Sequence, residues 1–187
     1  MDETVAVTVE LPPETAAALG DDPAARLAEL AADEATMRRS VETYVESDEP
    51  VGRETVAEIP PPIGALLGFE PVAMEPGSVT LEMEASPRFA NPMGTLHGGV
   101  LCDLGDAAMG YSYASTLSEE ESFTTLELDV KFLKPVWKGT LRAEGNVVKG
   151  GRTVGLVECD VTDAEGSLVA RLESVCLTLR DEMAAGR

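Results

Sequence analysis

Asp106 stands nine residues after His97, the chain's single histidine, and His97 is followed at once by Gly98 and Gly99. Asn91 lies seven residues before Gly98. Residues of these types at these spacings suit acyl-group chemistry. Two glycines opening a helix leave backbone N–H groups unpaired and unobstructed, and the helix dipole adds partial positive charge there. A carbonyl placed on the Gly98 amide would be polarised, and its oxyanion stabilised as attack proceeds. Asn91 offers a side-chain donor to the carbonyl or a hold on water. Asp106 is a carboxylate in a greasy segment, and an unpaired buried charge is expensive, so it needs a reason to be there. It can attack a thioester to give a mixed anhydride, or activate a water as general base. A carboxylate paired with a strand for structure is the competing reading. Asp103, one helical turn earlier, is the main competitor for the acid role and reads as a partly exposed helix residue.

The elements that position these residues follow from periodicity. Residues 96–117 are rich in Gly, Ala, Leu and Met and read as a helix nearly apolar around its circumference. Such a helix has to be buried on most sides, which a curved antiparallel sheet wrapped around it would achieve. Val79, Leu81, Met83 and Ala85 alternate with Thr80, Glu82 and Glu84, the period of a half-buried strand. The same period recurs over 126–132, 141–147, 154–161 and 168–179. Pro135, Lys149-Gly150-Gly151 and residues 163–166 separate these last four, which read as an antiparallel meander. The pattern is strand, helix, four strands, an α+β domain.

Pro60-Pro61-Pro62 marks a stiff boundary, so the compact domain is placed at 59–187. Residues 1–58 hold 15 acids against four bases, −11 of the total −20, and read as an acidic appendage. Within it 4–11 alternates as a short strand, and 22–46 has helical spacing, with Asp21 or Asp22 as cap and Pro23 in the first turn. Strand then helix faintly suggests a ribbon-helix DNA-binding element, but the charge is wrong for one.

Asn91-Pro92-Met93-Gly94-Thr95-Leu96-His97-Gly98-Gly99, with Asp106 nine residues past the histidine, resembles the hotdog-fold acyl-CoA thioesterases of the phenylacetate-degradation type. The resemblance spans about 60–180 and includes Leu66-Leu67-Gly68-Phe69 and Phe132-Leu133-Lys134-Pro135. It implies a sheet curved around one long central helix, thioester hydrolysis with Asp106 as the catalytic carboxylate, and a His97 that shapes the loop more than it moves protons. It also implies that a serine or threonine ten residues before the strand's proline positions water; here that is Thr125. Thr124 would point to the opposite face of the strand, so only one of the two can serve. The substrate would be an acyl-CoA, with coenzyme A part of the substrate and no separate cofactor. Its phosphates need local positive charge, for which Lys134, Lys138, Lys149 and Arg152 are candidates; Lys149-Gly150-Gly151-Arg152 combines a tight turn, free amides and two cations. Gly99, at the helix start, is a further substrate-binding candidate.

Geometry adds a partner. Gly98 and Asp106 are eight residues apart on one helix, roughly 12 Å along its axis. A carbonyl on the Gly98 amide therefore lies beyond reach of the same subunit's Asp106, and the site is expected at a two-fold between subunits of a homodimer or homotetramer. A non-catalytic acyl-CoA-binding module and a hotdog hydratase or dehydratase are the alternatives; the His-Gly-Gly arrangement does not match the latter's pattern.

Acidic residues outnumber basic ones 34 to 14, which disfavours nucleic acid as a partner. Acid excess with scarce lysine suggests a protein that stays soluble in high salt, a halophilic source; a merely acidic mesophilic protein is the alternative. Cys102, Cys159 and Cys176 lie far apart and read as small core residues, and one histidine cannot build a histidine-based metal cluster. No apolar run reaches the roughly 20 residues of a membrane span, and the N-terminus is acidic where a secretory signal would be basic, so a cytoplasmic location is expected.

Overall fold

The computed structural model describes residues 8–46 and 58–184. Two helices open it, α1 (Pro13–Ala18) and α2 (Pro23–Val41), the latter running into a π-helical turn over Glu42–Glu46. Asp22 caps α2 by accepting the Ala25 N–H at 3.0 Å, with Pro23 at the first helical position as expected. The strand expected at 4–11 falls partly outside the described residues, and residues 8–11 are not in a strand. Helix α1, which alternation alone did not reveal, follows directly.

A short helix α3 (Pro62–Leu67) leads into strand β1 (Phe69–Glu75), then β2 (Ser78–Ala85), helix α4 (Gly98–Ala114), and strands β3 (Ser122–Phe132), β4 (Gly139–Lys149), β5 (Val154–Asp163) and β6 (Leu168–Leu179). All pairings are antiparallel, in the order β1-β2-β4-β5-β6-β3. Two expectations are corrected here. Strand β1 was not foreseen, because its alternation is broken by a register shift at Pro71/Ala73 and only Phe69 of it is buried. Nor are the last four strands a simple meander: β4, β5 and β6 are, but β3 crosses the sheet and pairs with β6 at the far edge.

Helix α4 lies against the concave side of this sheet, starting and ending within the expected 96–117. It is buried along one face only. Val100, Leu101, Leu104, Gly105, Ala108, Met109, Ser112 and Tyr113 pack inward at helical spacing, whereas Cys102, Asp106, Ala107 and Gly110 are half-buried and Asp103 is exposed. Close approach is enforced by glycine: a Cβ on Gly145 of β4 would meet the Ala108 carbonyl oxygen at 2.5 Å. The Ser112 hydroxyl, completely buried, accepts the Val79 N–H at 3.0 Å and lies 2.9 Å from the Gly145 oxygen, stitching helix to sheet. Leu81, Met83, Leu104, Met109, Leu141, Val157 and Leu172 form the middle of the core. Each such side chain contributes roughly 1.5–3 kcal/mol by leaving water.

Helix α2 rests on α3 at its C-terminal end. The buried Ser40 hydroxyl donates to the Pro60 carbonyl at 2.6 Å and the Tyr44 hydroxyl to the Ile59 carbonyl at 2.7 Å. Between α2, α3, β1 and Tyr111 of α4 lies a cavity of ≈ 320 Å³ whose charged lining residues, Asp33, Glu58 and Glu70, are all acidic. Like charges gathered on an acidic surface repel, and salt screens that repulsion. Together with the −20 formal charge, this predicts a melting temperature that rises from low salt to molar KCl in a thermal scan. A flat or falling series would remove the link between acidity and salt tolerance.

Candidate active site

The start of α4 is held by the loop before it. Asn91 folds that loop on itself: its side-chain amide donates to the Thr95 hydroxyl at 2.8 Å, its side-chain oxygen accepts the Met93 N–H at 2.9 Å, and its carbonyl accepts the Gly94 N–H at 2.9 Å. Gly94 takes φ +81, a conformation side chains disfavour. The loop is then pinned on both sides, Leu96 N–H to the Val136 carbonyl at 2.7 Å and His97 N–H to the Phe89 carbonyl at 2.9 Å.

His97 is the N-cap residue of α4, and its ring Nδ1 accepts the Gly99 N–H at 3.0 Å. This bond fixes the ring on the helix start and leaves the two glycine amides unlike each other. The Gly99 N–H is spent on the cap, contrary to the expectation that both are free, while the Gly98 N–H makes no hydrogen bond among the described residues. A Cβ on Gly98 would come 3.0 Å from the Phe132 ring of β3, a close contact that glycine avoids.

Two turns along, the Asp106 side chain is half-buried and faces β3, whose Thr125 hydroxyl donates to its Oδ1 at 3.2 Å. Of the two candidates it is Thr125, not Thr124, whose hydroxyl meets Asp106. Burial pushes the Asp106 carboxyl above the ordinary carboxylate range; the Thr125 hydrogen bond opposes this and the nearby Asp103 charge adds to it. Asp106 has no ion-pair partner among the described residues. A half-desolvated carboxylate without a cation, held by one hydroxyl, is a better base than an ordinary one.

The structure thus brings Asp106 to Thr125 and places Gly98 beside Phe132 of the same strand. It does not free Asn91, whose amide is engaged with Thr95. Lys134 is ion-paired with Asp163, which holds that carboxyl below its usual range, so this lysine is less available to a phosphate than the sequence implied. Lys149 and Arg152 flank the exposed β4–β5 turn with no ion pair among the described residues.

Next to these residues the inward side of β3 is uncovered. Leu128 is 36% and Phe132 56% exposed, with Leu126 of the bulge at 59%. Apolar surface of this kind on an edge strand beside a half-buried carboxylate is what a second chain would cover.

The model of the Thioesterase superfamily matches residues 93–170, the segment from the Asn91 loop to the start of β6. A protein of Saccharolobus solfataricus named as an esterase is 32% identical over 119 residues, 64% of this chain and 84% of that one. The chain belongs to the thioesterase superfamily. Human acyl-coenzyme A thioesterase 13 is 29% identical over 104 residues, covering 54% of this chain and 72% of its own length. A Haemophilus influenzae thioesterase superposes with a TM-score of 0.64 at 21% identity, covering 71% of this chain and 93% of that one, which identifies the fold as the hotdog. This superfamily member is a thioester hydrolase. No helix among its described residues is long and apolar enough to cross a membrane.

Sequence reasoning passes over Ser174 and takes Cys176 only as a small core residue; both are buried in β6, and Cys176 lies directly across from Thr125. The signal was present: inward positions of an alternating strand carry apolar residues, and these are polar.

Proposed function

We propose that this chain hydrolyses acyl-CoA thioesters to a free acid and coenzyme A, with Asp106 as the reacting carboxylate and the Gly98 N–H as the oxyanion donor. The observation that carries the reading is the pair of features on one helix: an open N–H at its start and, two turns on, a half-buried carboxylate without a cation. In the general-base route Asp106 takes a proton from water as the oxygen attacks the thioester carbonyl. The tetrahedral oxyanion rests on Gly98, the C–S bond breaks, and the proton passes to the departing thiolate. In the nucleophilic route Asp106 itself attacks, the thiolate leaves, and water hydrolyses the anhydride. Thr125 holds one carboxylate oxygen in either route, Asn91 and His97 hold the loop and helix start, and Gly99 shapes that start. Lys149 and Arg152, joined by Lys134 on exchange of its ion pair, take the phosphates of coenzyme A. The phenylacetate-degradation subtype fits the His-Gly-Gly-to-aspartate spacing.

The site is assembled from two copies. Roughly 12 Å of helix separates Gly98 from Asp106, and the uncovered Leu126, Leu128 and Phe132 provide the surface on which the second copy sits.

The test is a thiol-release assay over aromatic, short-chain and medium-chain acyl-CoAs, run beside an assay for hydration of an enoyl thioester. Release of thiol with at least one acyl class is expected. Hydration without release would make the chain a hydratase, and binding without either reaction would make it an acyl-CoA carrier.

A further inference from the structure

Three successive inward positions of β6 carry polar side chains: Ser174, Cys176 and Thr178 are 1%, 0% and 3% exposed. Burying a hydroxyl against an apolar core costs about 1–3 kcal/mol unless it finds a partner, so each needs an account. Thr178 has one in the core, its hydroxyl lying 2.7 Å from that of Tyr113. Ser174 and Cys176 lead elsewhere. The Ser174 hydroxyl is 3.6 Å from the Cys176 sulfur. Cys176 is the direct cross-strand partner of Thr125, which sets the thiol beside the threonine side chain on the same face of the sheet. Thr125 in turn donates to Asp106 at 3.2 Å. The four side chains form a string from the interior of β6, across β3, to the open face of α4.

We propose that Cys176 and Ser174 are positioning residues for Asp106, acting through Thr125. This rests on the reading of Asp106 as the reacting carboxylate. The chemistry fixes the direction of the string. An ionised carboxylate only accepts, so the single proton of Thr125 points to Asp106, leaving the Thr125 oxygen to accept the Cys176 S–H and the sulfur to accept the Ser174 O–H. Burial pushes the Cys176 thiol up, with the Asp106 charge acting the same way, and so keeps it a donor. Hydrogen bonds aligned head to tail in a buried setting strengthen one another. The result is a Thr125 hydroxyl that cannot turn away, one Asp106 oxygen locked in place and the other left for water or the thioester.

The groups facing Asp106 are Asp103 and Cys102 on α4, Thr125 on β3 and Cys176 on β6. Only the Thr125 hydrogen bond favours its ionised form; burial and Asp103 oppose it. Freeing Thr125 to rotate therefore raises the pH at which Asp106 ionises, and the acid limb of the rate profile moves to higher pH.

The experiment compares Cys176→Val, which removes the donor at similar volume, with Cys176→Ser, which keeps one. Both are measured as full pH profiles of kcat and kcat/KM on the chosen acyl-CoA, with melting temperatures recorded in parallel. Cys176→Val is expected to shift the acid limb up by about half a unit to one unit and to lower kcat about three- to tenfold with little change in KM. Cys176→Ser should return the limb to within a few tenths of a unit of wild type. Ser174→Ala should shift it the same way by less, and carries the test if the valine variant does not fold. A folded Cys176→Val or Ser174→Ala enzyme with an unmoved limb and normal kcat would overturn the proposal, as would valine and serine variants that lose activity equally. Neither result touches the role of Asp106, which fails only if its own replacement leaves turnover intact.

Discussion

Asp106→Asn is expected to lower turnover at least about a hundredfold and, at neutral pH, to raise the melting temperature by a few degrees. The two effects have one cause. Asparagine keeps the shape and still accepts the Thr125 hydrogen bond, but it can neither take a proton from water nor attack a carbonyl. The stability effect follows from burial, which pushes the folded-state carboxyl above its ordinary range. A group whose folded pKa is raised contributes stability that is fully present below the unfolded value and is lost as pH rises through the folded value. At neutral pH the ionised Asp106 is therefore a burden on the fold, and removing its charge lifts that burden. The melting-temperature difference should be small in acid and open as pH climbs through and above the ordinary carboxylate range. A variant with near-normal turnover would remove Asp106 from the mechanism, whatever its stability.

How much of the fold could be read from the chain depended on burial on one side. Strands β4, β5 and β6 each bury alternate residues, Leu141, Ala143 and Gly145 on one and Val157, Cys159 and Val161 on the next, so their periods stand out. Strand β1 has no such signature. It is an edge strand with a register shift, and Val72 and Met74 are both 44% exposed. The position of β3 was hidden for another reason: its pairing with β6 joins residues some fifty apart, and periodicity carries no information about distant partners.

The site divides in the same way. Asp106 drew notice because a carboxylate in an apolar helix violates a strong local rule, and Thr125 because the resemblance points to a hydroxyl ten residues before Pro135; strand parity said only that Thr124 and Thr125 cannot both serve. What the sequence misjudged is where a donor had already been taken. A free N–H at Gly99, a free amide at Asn91 and a free ammonium at Lys134 were each inferred from residue type. In the fold they meet His97, Thr95 and Asp163. Occupancy of a hydrogen-bonding group is a property of tertiary neighbours, and of the two glycine amides that of Gly98 makes no hydrogen bond among the described residues.

Mixing two inactive variants tests whether the site is shared. Asn91→Ala removes the brace that holds the loop and the Gly98 N–H in place, and Asp106→Ala removes the reacting carboxylate; each homodimer should be nearly inactive. If each site takes its helix start from one subunit and its Asp106 from the other, a heterodimer places both lesions in one site and none in the other. Random subunit exchange makes half the dimers heterodimers, each with one intact site of two, so activity should recover to about a quarter of wild type. The reference is the same mixture measured before exchange. Subunit exchange is established separately, by mass spectrometry of differently tagged chains, so that lack of recovery cannot be laid to lack of mixing. A single-subunit site predicts something different: every site then carries one lesion or the other, and no mixture recovers. An exchanged mixture no more active than its parents would require the Gly98 amide and Asp106 of one helix to serve the same thioester. Eight residues of α-helix, roughly 12 Å, stand against that.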